Sequence, residues 1–512
     1  MIISKEILKS FEDNSKNFAL YVNNKYYTYN ELNLISNKIA QTILHINYEK
    51  QPVILLGGKS FFIHAGLLGA IIAGSYYTPL NETFPIDRNV NIINMAGAKT
   101  IILDYTDFEG YETILKNIHN YNIICPEEHY NYLSDNFPNH TFYKAQNYNL
   151  EYINVESSDT VYMLFTSGST GIPKGIKISH KNLYNYSFVS QKRNMVDNTS
   201  NILQMHDITF DYSVHNLFLS FLFGGCLHLV SKNIKINPFK YINEKQITHA
   251  AFVPSTLLIM KKMRLLKENS LPFLKYVCFC GETLPFENAI LIAKAAPNAK
   301  LENIYGPTEA TVACTYFEFN KDTKELPEYL GSMPIGKAYD GMEVELYDDN
   351  LNKITDDSTG QIVLSGKQLA KGYVNNEEQT KEKFVMIDNS LHYLTGDLGR
   401  RINGELVFLG RNDAQVQIRG YRVEIFEIEN AISKIDSIIS NAVIPTPVGA
   451  VTYENTAAFL VCNKDIDTNK IKDDLSKTLP NYMVPNKYII LDSMPLNSNG
   501  KIDRNQLKKL LQ

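Results

Sequence analysis

An apolar run, Val161–Phe165 (VYMLF), breaks directly into Thr166-Ser167-Gly168-Ser169-Thr170-Gly171-Ile172-Pro173-Lys174-Gly175. Bulky apolar side chains in succession read as a buried strand, and the small residues behind them cannot continue it. Glycines and short hydroxyl side chains let backbone N–H groups and hydroxyls converge on phosphate oxygens, and Lys174 adds positive charge. The loop is not of the Walker A type, in which Gly, Lys and Ser or Thr follow one another, because Pro173 precedes Lys174. A flexible surface loop shares this composition but not its position straight after a buried strand. A strand that ends in a phosphate-binding loop points to a layered α/β fold.

The same layering recurs along the chain. Gln51–Leu80 reads as a strand (PVILLG), a helix packed closely through Gly and Ala (HAGLLGAIIAG) and a further extended piece (SYYTPL). Similar strands are expected at Lys99–Leu103, Ile247–Val253 and Tyr276–Phe279. The apolar stretches Ala65–Tyr77 and Leu217–Gly225 fall short of the roughly 20 residues that cross a bilayer and are expected as core helices. Beyond them come short strands at Gly360–Gly366, Glu405–Gly410 and Val416–Arg419. A helix (Glu424–Lys434), a strand (Ala457–Cys462), a second helix (Asn469–Leu479) and a final loop complete the chain. With 512 residues, more than one domain is expected. The expected fold is an α/β large N-terminal domain, residues 1–412, plus a small α+β C-terminal domain, residues 413–512, divided at the turn Gly410-Arg411-Asn412-Asp413.

Charge and cysteine usage exclude several classes. A net charge of -5, with Lys and Arg scattered among acids, leaves no basic footprint for nucleic acid. The six cysteines, at 125, 226, 278, 280, 314 and 462, include no C-x-x-C pair of a zinc site, and a reducing cytoplasm fits this sparse usage. The N-terminal MIISKEILKSFEDNSKN is charged throughout and lacks the apolar core of a signal peptide, so no stable membrane insertion is expected.

Further motifs extend the phosphate chemistry. Asn303-Ile304-Tyr305-Gly306-Pro307-Thr308-Glu309 follows a strand end at Ala299-Lys300-Leu301. Tyr305 offers a stacking face, Thr308 a hydroxyl for phosphate and Glu309 a hard oxygen ligand suited to magnesium. By itself this turn is open to a purely structural reading. Tyr393-Leu394-Thr395-Gly396-Asp397 ends in a carboxylate able to accept hydrogen bonds from both hydroxyls of a ribose. Asp413, at a Gly-rich turn, has the ordinary alternative of a turn former. In Asn499-Gly500-Lys501-Ile502-Asp503-Arg504, Lys501 is a long, mobile cation that alone would count as a solvated charge. Asp211, in Phe210-Asp211-Tyr212-Ser213, either N-caps the helix that SVHNLFLSF begins or presents a carboxylate to a cation.

Taken in order, these motifs resemble the adenylate-forming superfamily, which includes acyl-CoA synthetases, luciferases and the adenylation domains of peptide synthetases. Residues 166–175 match the superfamily's phosphate-loop pattern throughout, and weaker likeness begins at Thr28-Tyr29-Asn30-Glu31-Leu32 and Ala73–Leu80. The resemblance implies that Thr166, Ser167, Gly168, Ser169, Thr170, Gly171 and Lys174 bind ATP with Asn303, Tyr305, Gly306, Asp397 and Arg411. It implies further that Thr308 serves the phosphates, that Glu309 holds Mg2+, and that Lys501 is the catalytic lysine meeting the substrate carboxylate and the α-phosphate. Asp413 corresponds to the hinge about which the small domain rotates. Arg419-Gly420-Tyr421 then replaces Lys501, and Gly420 leaves room for a pantetheine arm.

Asp211 stands where amino-acid-activating members bind the substrate ammonium, a need that fatty-acid and acetate activators lack. The side-chain pocket then maps onto Tyr212, His215, Ala251, Cys278, Cys280, Ile304, Val312 and Ala313. Phe279–Pro285 and Tyr305–Val312 are most similar to the ligases that load D-alanine onto a carrier protein, which set a cysteine at the place of Cys280 against the substrate. Tyr212 and His215 depart from that subgroup, which carries aliphatic residues there. The implied activity is ATP-dependent conversion of an amino acid to aminoacyl-AMP and its transfer to a phosphopantetheine thiol. The thiol donor is expected to be a separate carrier protein, because no carrier domain follows Arg504. D-alanine leads; another amino acid in natural-product assembly is the alternative, and an acyl-CoA synthetase is disfavoured by Asp211. Neither a HIGH-like nor a KMSKS-like element of aminoacyl-tRNA synthetases is present. A catalytically dead relative would be expected to have lost one of Thr308, Glu309, Asp397 and Lys501.

Overall fold

The strand Thr160–Thr166 pairs antiparallel with Lys174–Ser179, with Thr166 opposite Lys174. The computed structural model describes residues 1–512 except 107, 109, 168–172, 325–330, 413–414, 451, 463–466, 496–501 and 512. This antiparallel pair forms one edge of a seven-stranded sheet, which continues through Tyr76–Pro79, Pro52–Gly57, Thr100–Asp104, Asn122–Cys125 and Thr141–Lys144. All other pairings in it are parallel.

A nine-stranded sheet lies alongside. Its parallel centre runs through Lys300–Tyr305, Tyr276–Phe279, His249–Phe252, Asn201–Gln204, Cys226–Leu229 and Phe18–Val22, and antiparallel strands close both ends. Parallel strands covered on both faces need long apolar runs, and every residue of Tyr276–Phe279 and His249–Phe252 is buried. The largest core cluster draws on both sheets and on helices Ile3–Asp13, Tyr29–Ile46, Phe61–Ile72, His180–Asn194 and Tyr212–Phe223.

Local chemistry explains these helices. Thr28 and Glu31 form a capping box, each accepting the other's backbone N–H, so the Thr28–Leu32 motif marks a helix start. The helix Phe61–Ile72 begins on Ser60, whose hydroxyl accepts the Ile63 N–H, and is fully buried from Ile63 onward. A side chain at Gly69 would come within 2.8 Å of the Ser36 carbonyl, so two helices approach through that glycine. The helix expected over Ala65–Tyr77 is shorter than that: it ends at Ile72, and Gly74, at φ +79, turns the chain into the strand Tyr76–Pro79.

A five-stranded antiparallel sheet follows, built from Met342–Tyr347, Gly360–Gly366, Phe384–Ile387, Ser390–Ile402 and Glu405–Arg411. The small C-terminal domain comprises the hairpin Gln415–Ile418/Tyr421–Glu424, the helices Ile425–Ser433 and Thr468–Ser476, and a three-stranded sheet of Ile438–Thr446, Asn455–Cys462 and Lys487–Ile490. The segment expected as a final loop holds more structure than that. Lys487–Ile490 pairs in parallel with Ala457–Leu460, and Arg504–Lys509 is a helix capped by Asp503 that buries Leu507 alone. Neither element is long enough to carry a periodic signal. Among the described residues no helix is long and apolar enough to cross a membrane.

Candidate active site

The carboxyl ends of the nine-stranded sheet, the five-stranded sheet and the C-terminal hairpin converge on one cavity of about 730 Å³. Brought together in its wall are Asp211, Tyr212, Cys280, Asn303, Ile304, Tyr305, Gly306, Thr308, Val312, Asp397, Arg411 and Gly420. These come from strand ends, helix starts and a turn far apart in sequence, the usual setting of sites in parallel sheets.

The nucleotide side is preorganised by hydrogen bonds. Asp397 and Arg411 are cross-strand partners and form an ion pair; Arg411 also donates to the Thr395 carbonyl at 2.9 Å, and the Tyr305 hydroxyl donates to Asp397 at 2.5 Å. Tyr305 faces Phe408 at 6.3 Å between ring centroids, on the same cavity. Asn303 lines the cavity, but its amide is spent on the Met333 and Pro334 carbonyls, so it shapes the wall.

Thr308 and Glu309 lie on a single helical turn, Thr308–Ala310, at the end of the strand Lys300–Tyr305, which runs further than the expected end at Leu301. Thr311 and Val312 follow with φ of 58° and 72°, a conformation rare for β-branched residues. It is held by the Thr311 hydroxyl donating to the Gln368 carbonyl and by the Gln368 amide donating to the Ala310 and Ala313 carbonyls. This strained turn aims Val312 at the cavity.

Asp211 occupies the N-cap position of Tyr212–Phe223, yet its side chain makes no capping hydrogen bond. It is buried at the cavity wall, and burial pushes its carboxyl up to about 6 against an opposing hydrogen bond from Thr308. A buried carboxylate costly to ionise alone is suited to an arriving cation.

Glu309 behaves differently. Burial pushes its pKa up, but Arg422 and the Tyr373 hydroxyl outweigh that and hold the carboxyl below its usual range. Arg422 donates to both carboxylate oxygens and Tyr373 donates at 2.7 Å. Lys174, whose pKa burial lowers, lies 3.4 Å from Glu424, and the Ser167 hydroxyl donates to the Arg422 carbonyl. Thr166 is the last residue of its strand. Gly168, Ser169, Thr170, Gly171, Asp413 and Lys501 lie outside the described residues.

The hairpin that supplies Arg422 turns through Arg419 and Gly420, at φ 50° and 83°, as a two-residue turn of the primed type. A side chain at Gly420 would meet Val253 at 2.5 Å, and one at Gly281 would meet the Gly420 carbonyl at 3.4 Å. The turn therefore rests against the large domain at the cavity edge. Tyr421 stacks on Tyr482 at 4.1 Å, and Arg88 of the large domain pairs with Glu427 of the small one at 2.6 Å.

Half of the mapped side-chain pocket does not reach the cavity. His215, Ala251, Cys278 and Ala313 are buried and are not among the residues lining the cavity, and the Tyr212 hydroxyl donates to the Cys278 carbonyl at 3.1 Å. Sequence reasoning also missed Arg422, Glu424 and Tyr373. Arg422 and Glu424 share one face of a strand, which their spacing of two signals, but nothing local shows that this face meets Glu309 and Lys174.

Residues 9–374 match the family model described as AMP-binding enzyme, and residues 427–501 match AMP-binding enzyme C-terminal domain. The chain belongs to the AMP-binding enzyme family, a family of AMP-forming ligases. It is 30% identical to a D-alanine--D-alanyl carrier protein ligase of Staphylococcus aureus (strain MRSA252), over 100% of this chain and 99% of that one. The solved Vibrio cholerae adenylation domain AlmE, in complex with glycyl-adenosine-5'-phosphate, superposes with a TM-score of 0.91 at 27% identity, over 100% of this chain and 98% of that one. IdnL7 superposes with a TM-score of 0.73 at 26% identity, over 99% and 98%.

Proposed function

We propose that the protein activates a small amino acid with ATP and passes the aminoacyl group to the phosphopantetheine thiol of a carrier protein in the cytoplasm, with D-alanine the leading substrate. The observation that carries this reading is Asp211, a buried, uncapped carboxyl in the wall of the cavity that Tyr305, Thr308 and Asp397 also line. The likeness to D-alanine--D-alanyl carrier protein ligases over the full chain supports it. Likeness to the AlmE complex with glycyl-adenosine-5'-phosphate makes glycine the second candidate.

In the first step a carboxylate oxygen of the amino acid attacks the α-phosphorus of ATP, and the bond to the β-phosphate oxygen breaks to release pyrophosphate. The obstacle is the approach of two anions, so catalysis rests on positive charge and positioning. Asp211 holds the substrate ammonium, Lys501 the carboxylate and α-phosphate, Asp397 the ribose and Tyr305 the adenine. Thr308 and residues 166–174 hold the phosphates. Glu309 would hold a magnesium ion, which when bound would supply charge neutralisation to the phosphates. Among the described residues there is no cluster of three metal-ligating side chains, so the remaining ligands would be phosphate oxygens and water, as suits a hard cation that accompanies a nucleotide.

In the second step the thiol sulfur attacks the acyl carbon, its proton is released, and AMP leaves as the carbon–oxygen bond breaks. Lys501 withdraws for this as the small domain turns about Asp413, and Gly420 leaves the thiol its path. The Arg422–Glu309 pair supports such an alternation, because it joins the small domain to the large one and would have to break as the small domain turns.

The test is ATP–pyrophosphate exchange with D-alanine, L-alanine, glycine, other amino acids and fatty acids, followed by loading of a carrier protein. Exchange led by D-alanine is expected. Exchange with fatty acids alone would overturn the role of Asp211. Lys501→Ala is expected to abolish exchange while sparing transfer from preformed aminoacyl-AMP.

A further inference from the structure

Transfer to a thiol releases a proton, and a thiol is only a few per cent ionised near pH 7, so a base beside its path speeds the attack. Among the described residues that line the cavity there is no histidine, and the carboxylates are Asp211, Asp397 and Glu282. Asp397 is engaged by Arg411 and by the Tyr305 hydroxyl, and Asp211 faces the substrate ammonium. Glu282 is committed to neither nucleotide nor ammonium.

Its place in the chain sets it between the cavity wall at Cys280 and the turn at Gly420. The strand Tyr276–Phe279 runs out into Cys280 and then Gly281, at φ +85, where a side chain would meet the Gly420 carbonyl at 3.4 Å. Glu282 follows at once. One of its carboxylate oxygens, Oε2, accepts the Ser255 N–H at 2.7 Å, at the start of the helix Ser255–Lys262, which fixes the carboxyl in place. The other, Oε1, is buried and has no hydrogen-bond partner among the described residues. A buried oxygen left unpaired favours a bound proton. Burial accordingly pushes the carboxyl up to about 7; the nearby Glu454 adds to the rise, and Ser255 and the Gly420 N–H oppose it. Arg419, in the same turn as Gly420, is occupied by the Glu454 carbonyl at 2.7 Å and by the Asn455 side chain.

Resting on the thiol-transfer reading of this site, we propose that Glu282 is the general base of the second half-reaction, with Oε1 taking the thiol proton as the arm passes Gly420. As the S–H bond breaks, the proton goes to Oε1 and the electron pair forms the bond from sulfur to the acyl carbon. The bond from that carbon to the AMP oxygen breaks, and the phosphate keeps its electron pair. The proton passes from Glu282 to water once the products leave. Throughout, the Ser255 N–H holds Oε2, so the carboxyl need not move between its two states.

The experiment follows single-turnover transfer from preformed D-alanyl-AMP or glycyl-AMP to free pantetheine across the neutral pH range, beside pyrophosphate exchange, in the wild type, Glu282→Gln and Glu282→Asp. Glutamine still accepts the Ser255 N–H but cannot take a proton. Wild-type transfer is expected to rise with pH and level off above about 7. Glu282→Gln is expected to transfer about a hundredfold more slowly at pH 7 and to keep rising toward the thiol's own pKa, about 8.5, while exchange stays within about threefold. Glu282→Asp keeps a carboxyl and is expected to level off like the wild type at a lower rate; it carries the test if the glutamine variant does not fold. Equal losses in both half-reactions, or a glutamine variant that still levels off above about pH 7, would overturn the base while leaving thiol transfer intact. A wild type that exchanges pyrophosphate but loads neither pantetheine nor a phosphopantetheinylated carrier protein would overturn the transfer reading itself.

Discussion

Arg422, on the hairpin of the small domain, donates to both carboxylate oxygens of Glu309 in the large domain, at 2.9 and 3.2 Å. Glu309 is buried, and its partner Arg422 is nearly so. Leaving a buried charge unpaired costs about 3–5 kcal/mol, so the pair strongly favours the observed domain arrangement. Arg422→Met is expected to slow transfer from preformed aminoacyl-AMP to a carrier thiol by at least about a hundredfold, while changing pyrophosphate exchange by about threefold or less. Single-turnover measurements of each half-reaction check this; equal losses in both would refute it.

Gly420 carries φ +83 and would place a side chain 2.5 Å from Val253. Left-handed backbone costs a non-glycine residue about 1–2 kcal/mol, and the clash adds to it. Gly420→Ala is expected to cut transfer by about tenfold or more and to leave adenylation near wild type. A variant that transfers normally would show that the turn does not border the thiol's path.

The pair between Arg88 and Glu427 joins the two domains with both side chains almost fully buried. Arg88→Met strands the Glu427 charge and is expected to lower transfer more than exchange. A loss equal in both half-reactions would show the pair to be dispensable for domain arrangement.

Asp211 titrates at about 6 because burial raises it. With the folded value above an unfolded one near ~3.9, the folded chain holds the proton more tightly. Stability from this group is therefore full below about pH 4 and is lost as pH rises through about 6, a loss of about 3 kcal/mol by pH 8. Asp211→Asn is expected to raise Tm at pH 8, with the gain vanishing toward pH 4, and to abolish amino-acid-dependent exchange. Wild-type kcat/KM for the amino acid is expected to fall below about pH 6 as the carboxyl protonates. A flat profile from pH 5 to 8 would remove Asp211 from substrate binding.

The sequence alone determined what depends on neighbouring residues. Backbone conformation and burial are written in local patterns, so the strand Val161–Phe165, the helix start at Thr28–Glu31 and the strands around Cys278 are legible in a few residues each. The types of group gathered at the cavity, from Asp211 to Tyr305 and Asp397, are legible for the same reason: each motif carries its own chemistry. The weak elements Lys487–Ile490 and Arg504–Lys509 escape, being too short for periodicity.

Tertiary structure alone decided which side chains reach which. Arg422 meets Glu309 across 113 positions, and Ser167 meets the Arg422 carbonyl across 255. Such contacts depend on how whole sheets and domains pack, and no local pattern encodes that. The same applies in reverse to His215, Ala251, Cys278 and Ala313, which map to the pocket yet are buried outside the residues that line it. Which residues of a strand open onto a cavity and which stay in the interior is set only by packing in three dimensions.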